Sequence, residues 1–228
     1  MKQQKKHPIL SVIGLGVLLG LGILAVQFAF RLDQVIVWKW YLRAAPVVIL
    51  GAVLVNMLWQ LRFQRRAAAL TNILTKEQDP QRFIAETGAL LERASHPYNL
   101  ALLYINQSVG YAYLNRFDEA KRTLLQAPPK GLKGLLGVTY FLNLTYYCFR
   151  LAQQSEALAL WQAHEREFSR FEASPNLAGA IALTRIYALL AQGERAQAEQ
   201  AFTALEASPG AVTAEELAAI REKLTGRN

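Results

Sequence analysis

One cysteine, Cys148, stands in a chain of 228 residues. A single thiol excludes an intramolecular disulfide framework and a zinc site built on several cysteines. Histidine is scarce as well, with three: His7, His96 and His164. His164-Glu165 has Phe168 where a zinc-protease helix would carry its second histidine, so that pattern is missing. Neither a GxSxG nucleophile elbow nor a GxxxxGK[ST] phosphate loop occurs. Charge is thin too, at 18% of residues against the usual quarter, so part of the chain is expected to face something other than water. Acidic residues are nearly absent from the first 66 positions, where Asp33 stands alone against nine lysines and arginines, a net of +8. Residues 67–228 hold 16 basic and 16 acidic residues and are neutral. The basic excess therefore belongs to the apolar end of the chain, which removes the electrostatic case for a nucleic-acid partner.

Long apolar runs fill that end. Residues 9–30 contain no charge over 22 positions, roughly 33 Å of helix and enough for a hydrocarbon core of about 30 Å. Residues 44–61 form a second run of 18, with Trp38, Trp40, Tyr41 and Trp59 at its borders, where interfacial rings are expected. Pro46 falls in the first turn of that run, where a missing N–H costs little. The two runs predict a transmembrane hairpin over residues 1–66, joined by a loop of about a dozen residues. The first run is longer than a signal-peptide core and shows no small-x-small cleavage pattern before Arg31. Lys2, Lys5 and Lys6 at one end and Arg62, Arg65 and Arg66 at the other outweigh the loop's Arg31, Lys39 and Arg43, offset by Asp33. The positive-inside bias thus places both termini in the cytoplasm. Gly16 and Gly20 frame a GxxxG that fits either homodimerisation or packing against Gly51 and Ala52 of the second run.

Residues 67–228 read as helices broken by Pro-marked turns at Asp79-Pro80, His96-Pro97, Pro128 to Gly131, Ser174-Pro175 and Ser208 to Gly210. Leu102, Ile105, Val109 and Ala112 make one apolar stripe; Leu142, Thr145, Tyr146 and Phe149 make another. No alternating strand is evident. Pro129 to Gly134 is basic and glycine-containing and reads as a solvated loop, and Cys148 as a small buried apolar residue. Thr213 and Glu216 predict a capping box at the start of a last helix that closes the fold.

Three turns look alike. Asn115 to Ala120, preceded by Tyr111, resembles the turn between the two helices of a tetratricopeptide repeat, with Leu124 and Ala127 continuing the second helix. Ala152 to Ala157, followed by Trp161, and Gly193 to Ala198, followed by Phe202 and Leu205, repeat it. Ala120, Ala157 and Ala198 lie 37 and 41 residues apart, against a family period of about 34, the excess falling in loops 128–134 and 172–178. Gln107 and Ser108 depart from the family's usual Leu-Gly step. The resemblance covers residues 100–228 well and 67–99 loosely. It implies an all-α architecture: a transmembrane hairpin followed by an α-solenoid of stacked helical hairpins.

It also implies that the first helix of each hairpin lines a concave groove. The residues so placed are Asn106, Val109 and Tyr113, then Asn143, Tyr146 and Arg150, then Tyr187. In the family's carboxylate-binding variant the groove carries Lys, Arg and Asn; here Ile105, Ala180 and Thr184 stand at the basic positions and Asn143 near the asparagine. An apolar, tyrosine-lined groove with weak salt dependence is therefore expected, taking a helix or peptide of an unidentified protein partner. The expected function is a membrane-tethered interaction scaffold without catalytic residues, metal or cofactor. The alternative is an accessory subunit or enzyme whose site is scattered along the groove.

Overall fold

The computed structural model describes residues 20, 22, 34–208 and 212–226. Among them are nine α-helices and one 3-10 turn, and no strand. The chain divides into two compact units between Ala69 and Leu70.

Helix α1, Gln34–Thr75, runs for 42 residues. At 1.5 Å per residue that is about 63 Å, twice the thickness of a hydrocarbon core. Its part Leu42–Thr75 is the one stretch among the described residues long and apolar enough to cross a membrane. Leu50, Leu54 and Trp59 are 61%, 57% and 64% exposed. Apolar surface of that extent, covered by no protein core, calls for lipid or another helix.

A hairpin of two spans is not seen among the described residues. The first predicted span, residues 9–30, lies outside them except for Gly20 and Gly22, both helical; Gly16 lies outside as well. A Cβ placed at Gly20 or Gly51 meets nothing within 4 Å among the described residues, and the rest of the pairing expected of the first span lies outside them. The second span also differs from its predicted limits. The segment read as a loop before residue 44 is helical from Gln34, so Trp38, Trp40 and Tyr41 ride on the helix and Pro46 lies inside it. Hydropathy marks where lipid contact stops; it does not mark where a helix stops. Lys39, Arg43 and Arg62 are good helix formers and let it continue.

The second unit begins with the last turn of α1. Leu70, Ile73 and Leu74 pack with Phe83, Leu90 and Val109 in a small core of their own. Two N-terminal signals then fire as written. Asp79 caps α2 (Pro80–Arg93) by accepting from the Arg82 amide at 2.9 Å, and His96 caps α3 (Pro97–Tyr113) by accepting from the Tyr98 amide at 3.3 Å. Each helix opens on a proline, whose fixed φ and absent N–H suit that position.

The remaining helices are α4 (Phe117–Leu124), α5 (Leu135–Arg150), α6 (Gln154–Ser169), α7 (Ala178–Gln192), α8 (Arg195–Ala207) and α9 (Ala214–Thr225). They pack in sequential pairs, α3 with α4, α5 with α6 and α7 with α8, while α3, α5 and α7 also stand side by side in a row. One continuous core runs from Ala101 to Leu224. Ala120, Ala157 and Ala198 are each 0% exposed, so a larger side chain there would have to displace packed neighbours.

Pro129, Lys130, Lys133 and Gly134 are exposed, as expected of a solvated loop, but the segment Pro129–Gly131 also carries a buried Gly131. The segment forms the 3-10 turn and presses on α3, so that a Cβ at Gly131 would stand 2.3 Å from the Pro97 carbonyl oxygen. Lys130 and Lys133 gave the segment its polar look, but the backbone between them is what packs.

The three pair turns share one geometry. Asn115, Ala152 and Gly193 have φ of 56°, 57° and 81°. After each, the next amide reaches back five residues: Arg116 to Tyr111, Gln153 to Cys148 and Glu194 to Leu189, at 3.0, 2.9 and 2.9 Å. This is the left-handed helix ending that glycine and asparagine favour. Alanine does not favour it, at a cost of about 1–2 kcal/mol. Ala152→Gly should therefore raise stability by about 1 kcal/mol, read as a higher midpoint in thermal denaturation followed by circular dichroism. A lower midpoint would contradict this reading of the turn.

Candidate functional site

The row α3, α5, α7 lines a cavity of about 140 Å³. Val109, Ala112 and Tyr113 come from α3, Leu142, Asn143, Tyr146 and Arg150 from α5, and Ala180, Leu183 and Thr184 from α7. Spacings of three and four put each set on one helix face. The lining is mostly apolar, with Asn143 and Thr184 among its polar groups. The rim is polar and includes Asn115 with Thr213, Glu215 and Glu216 from the start of α9.

The rim is one hydrogen-bonded chain. The Arg150 guanidinium lies over the Phe117 ring, 4.2 Å from its centroid. Its Nη1 donates to the Tyr146 hydroxyl at 2.7 Å, and its Nη2 to Asn115 Oδ1 at 3.3 Å. The Tyr146 hydroxyl donates to Glu216 Oε1 at 3.1 Å, and Asn115 Nδ2 to Glu215 Oε1 at 2.7 Å. Glu216 Oε2 accepts from the amide and hydroxyl of Thr213 at 2.9 and 3.0 Å, while Thr213 Oγ1 caps the Glu216 amide at 3.2 Å. The capping box is thus present as predicted, and its glutamate also ties α9 to α5 across the groove.

Burial raises the phenol pKa of Tyr113, Tyr146, Tyr147 and Tyr187 above the ordinary value, with the Glu216 carboxylate adding to the effect. Arg150 opposes it at Tyr146 and Tyr187. These hydroxyls therefore remain protonated hydrogen-bond donors and supply no phenolate base at neutral pH. Cys148 is fully buried, and burial pushes its thiol up while nearby Lys121 counters only part of that. Among the described residues no three His, Cys, Asp or Glu side chains gather to hold a metal ion.

Of the seven residues placed in the groove from the sequence, Val109, Tyr113, Asn143, Tyr146 and Arg150 line the cavity, whereas Asn106 and Tyr187 do not. Tyr113 is 44% exposed, but Tyr146 is only 9% and Tyr187 4%. The Tyr187 ring stacks on Phe149 at 5.9 Å and meets Tyr146 edge-on at 5.8 Å. It is part of the wall behind the groove, not of its surface. Sequence reasoning missed Asn115, Phe117, Glu215 and Glu216. The capping box announced a helix start at Thr213, but nothing local to it said that this start lies over α5.

Comparison of the chain with protein-family models, curated proteins and solved structures gave no match.

Proposed function

We propose that the chain is a membrane-tethered interaction module whose groove docks a helix or peptide of a partner protein. The observation that carries this reading is the cavity on α3, α5 and α7, mostly apolar in its lining and bordered by polar groups. Such a surface offers a partner both buried area and directional bonds. The three helix pairs, their shared left-handed turn and their buried Ala120, Ala157 and Ala198 support reading the unit as degenerate tetratricopeptide repeats.

The tether is α1, together with residues 9–30 as a second span, completing a hairpin whose basic flanks point both ends to the cytoplasm. Fixing one end of a binding module to a bilayer raises its effective concentration near membrane partners without any new contact.

A photocrosslinking residue in place of Tyr113, exposed at the groove, should yield a discrete protein adduct in native membranes. The same residue in place of Leu125, 54% exposed and away from the groove, should not. Equal yields at both positions would contradict a groove-directed partner.

A further inference from the structure

Helix α9 touches the groove only through its first turn. Its apolar residues Ile220 and Leu224 join the core, and its packing is with α8. At the groove, Glu215 and Glu216 are held by Asn115 and Tyr146, and the Asn115 bond is solvent-exposed. Exposed bonds of this kind exchange readily with water. The fit is also incomplete. The cavity remains beneath this turn, and Asn143 Nδ2 is buried without an acceptor among the described residues. Arg150, the cation of the rim, directs its donors to a phenol and an amide oxygen, not to either glutamate. Two donors are thus arranged around an acidic helix start that does not use them fully.

Building on the docking function proposed above, we infer that α9 is an exchangeable internal ligand, and that the groove's external ligand is a helix with an acidic first turn. Such a helix takes the place of Thr213 to Glu216, with one carboxylate on Arg150 and Asn115 and an acceptor for Asn143. Charge complementarity selects it: a basic segment would meet Arg150 unfavourably, and a purely apolar one would leave Asn143 Nδ2 without an acceptor and Arg150 without a counter-charge. Release of the first turn frees the partly buried Val212 and Leu217 beside it, while Ile220 and Leu224, further along α9, stay in the core and the three helix pairs stay folded. While the turn is seated, external affinity is reduced by the fraction of molecules that are open.

A fluorescent peptide with the sequence of residues 212–226 serves as the probe, titrated by anisotropy into the full chain in detergent micelles. The unaltered chain should bind it weakly. E215Q/E216Q, which loosens the internal turn, should bind the unaltered peptide about tenfold more tightly and should not bind a peptide carrying the same two changes. Within that opened chain, R150Q and N115G should each abolish the gain. The second keeps the left-handed turn at residue 115, where φ is 56°, and so removes the amide without disturbing the backbone. Equal binding by the original and opened chains overturns the exchange, as does a gain that survives both R150Q and N115G. An opened chain that becomes dimeric instead overturns the choice of external ligand, because a second copy then fills the groove. If the exchange fails while the Tyr113 adduct persists, groove docking stands; if the adduct is also lost, the docking proposal falls with it.

Discussion

Tyr187→Ala should destabilise the full chain by about 3–5 kcal/mol, and Tyr146→Ala by a similar amount, read from thermal denaturation in detergent micelles. Both rings are packed in the row of first helices, at 4% and 9% exposure, and truncation leaves a cavity among Phe149, Phe117 and their neighbours. Alanine variants at these positions therefore test stability before they test binding. The phenylalanine variants separate the two. Tyr187 hides a hydroxyl without a partner among the described residues, so Tyr187→Phe should be neutral or slightly stabilising. Tyr146→Phe removes the bonds to Arg150 and Glu216 and should cost about 0.5–1.5 kcal/mol. Wild-type melting for either alanine variant would show that the burial described above does not hold in solution.

The difference between these tyrosines and Tyr113 shows how far the sequence could be read. All three occupy first-helix positions of the same apparent repeat. Periodicity assigns a residue to a helix face; it does not say how deeply the neighbouring helices bury that face. Local signals were legible. Pro80 and Pro97 mark helix starts, the turns at Asn115, Ala152 and Gly193 mark helix pairs, and Ala120, Ala157 and Ala198 are buried as small residues. Each of these depends on residues within one turn of itself. The continuity of α1 from Gln34 was not legible, because Arg43 and Lys39 lower hydropathy without lowering helix propensity. The packed backbone of Pro129–Gly131 was hidden behind two lysines. The bonds that place α9 over the groove join residues 70 and 100 positions apart, beyond the reach of any local pattern. The sequence consequently suggested an apolar groove, where the folded chain also has Arg150 linked through Tyr146 and Asn115 to Glu216 and Glu215.

The largest all-or-none effect concerns the tether. Thirteen of the residues from Val47 to Trp59 are exposed, and they include no Asp, Glu, Lys or Arg. Without lipid this surface would drive aggregation; within lipid it holds the chain against any change of pH or salt. Arg62, Arg65 and Arg66 follow on the same helix, and the proposal that the unit beginning at Leu70 faces the cytoplasm rests on them. A C-terminal epitope followed through protease treatment tests the tether and its direction together. Alkaline carbonate should leave the chain with the membrane, and in a separate assay protease should remove the epitope from sealed inside-out vesicles while leaving it whole on intact cells. Release by carbonate, or loss of the epitope from intact cells, would contradict a membrane-held module facing the cytoplasm.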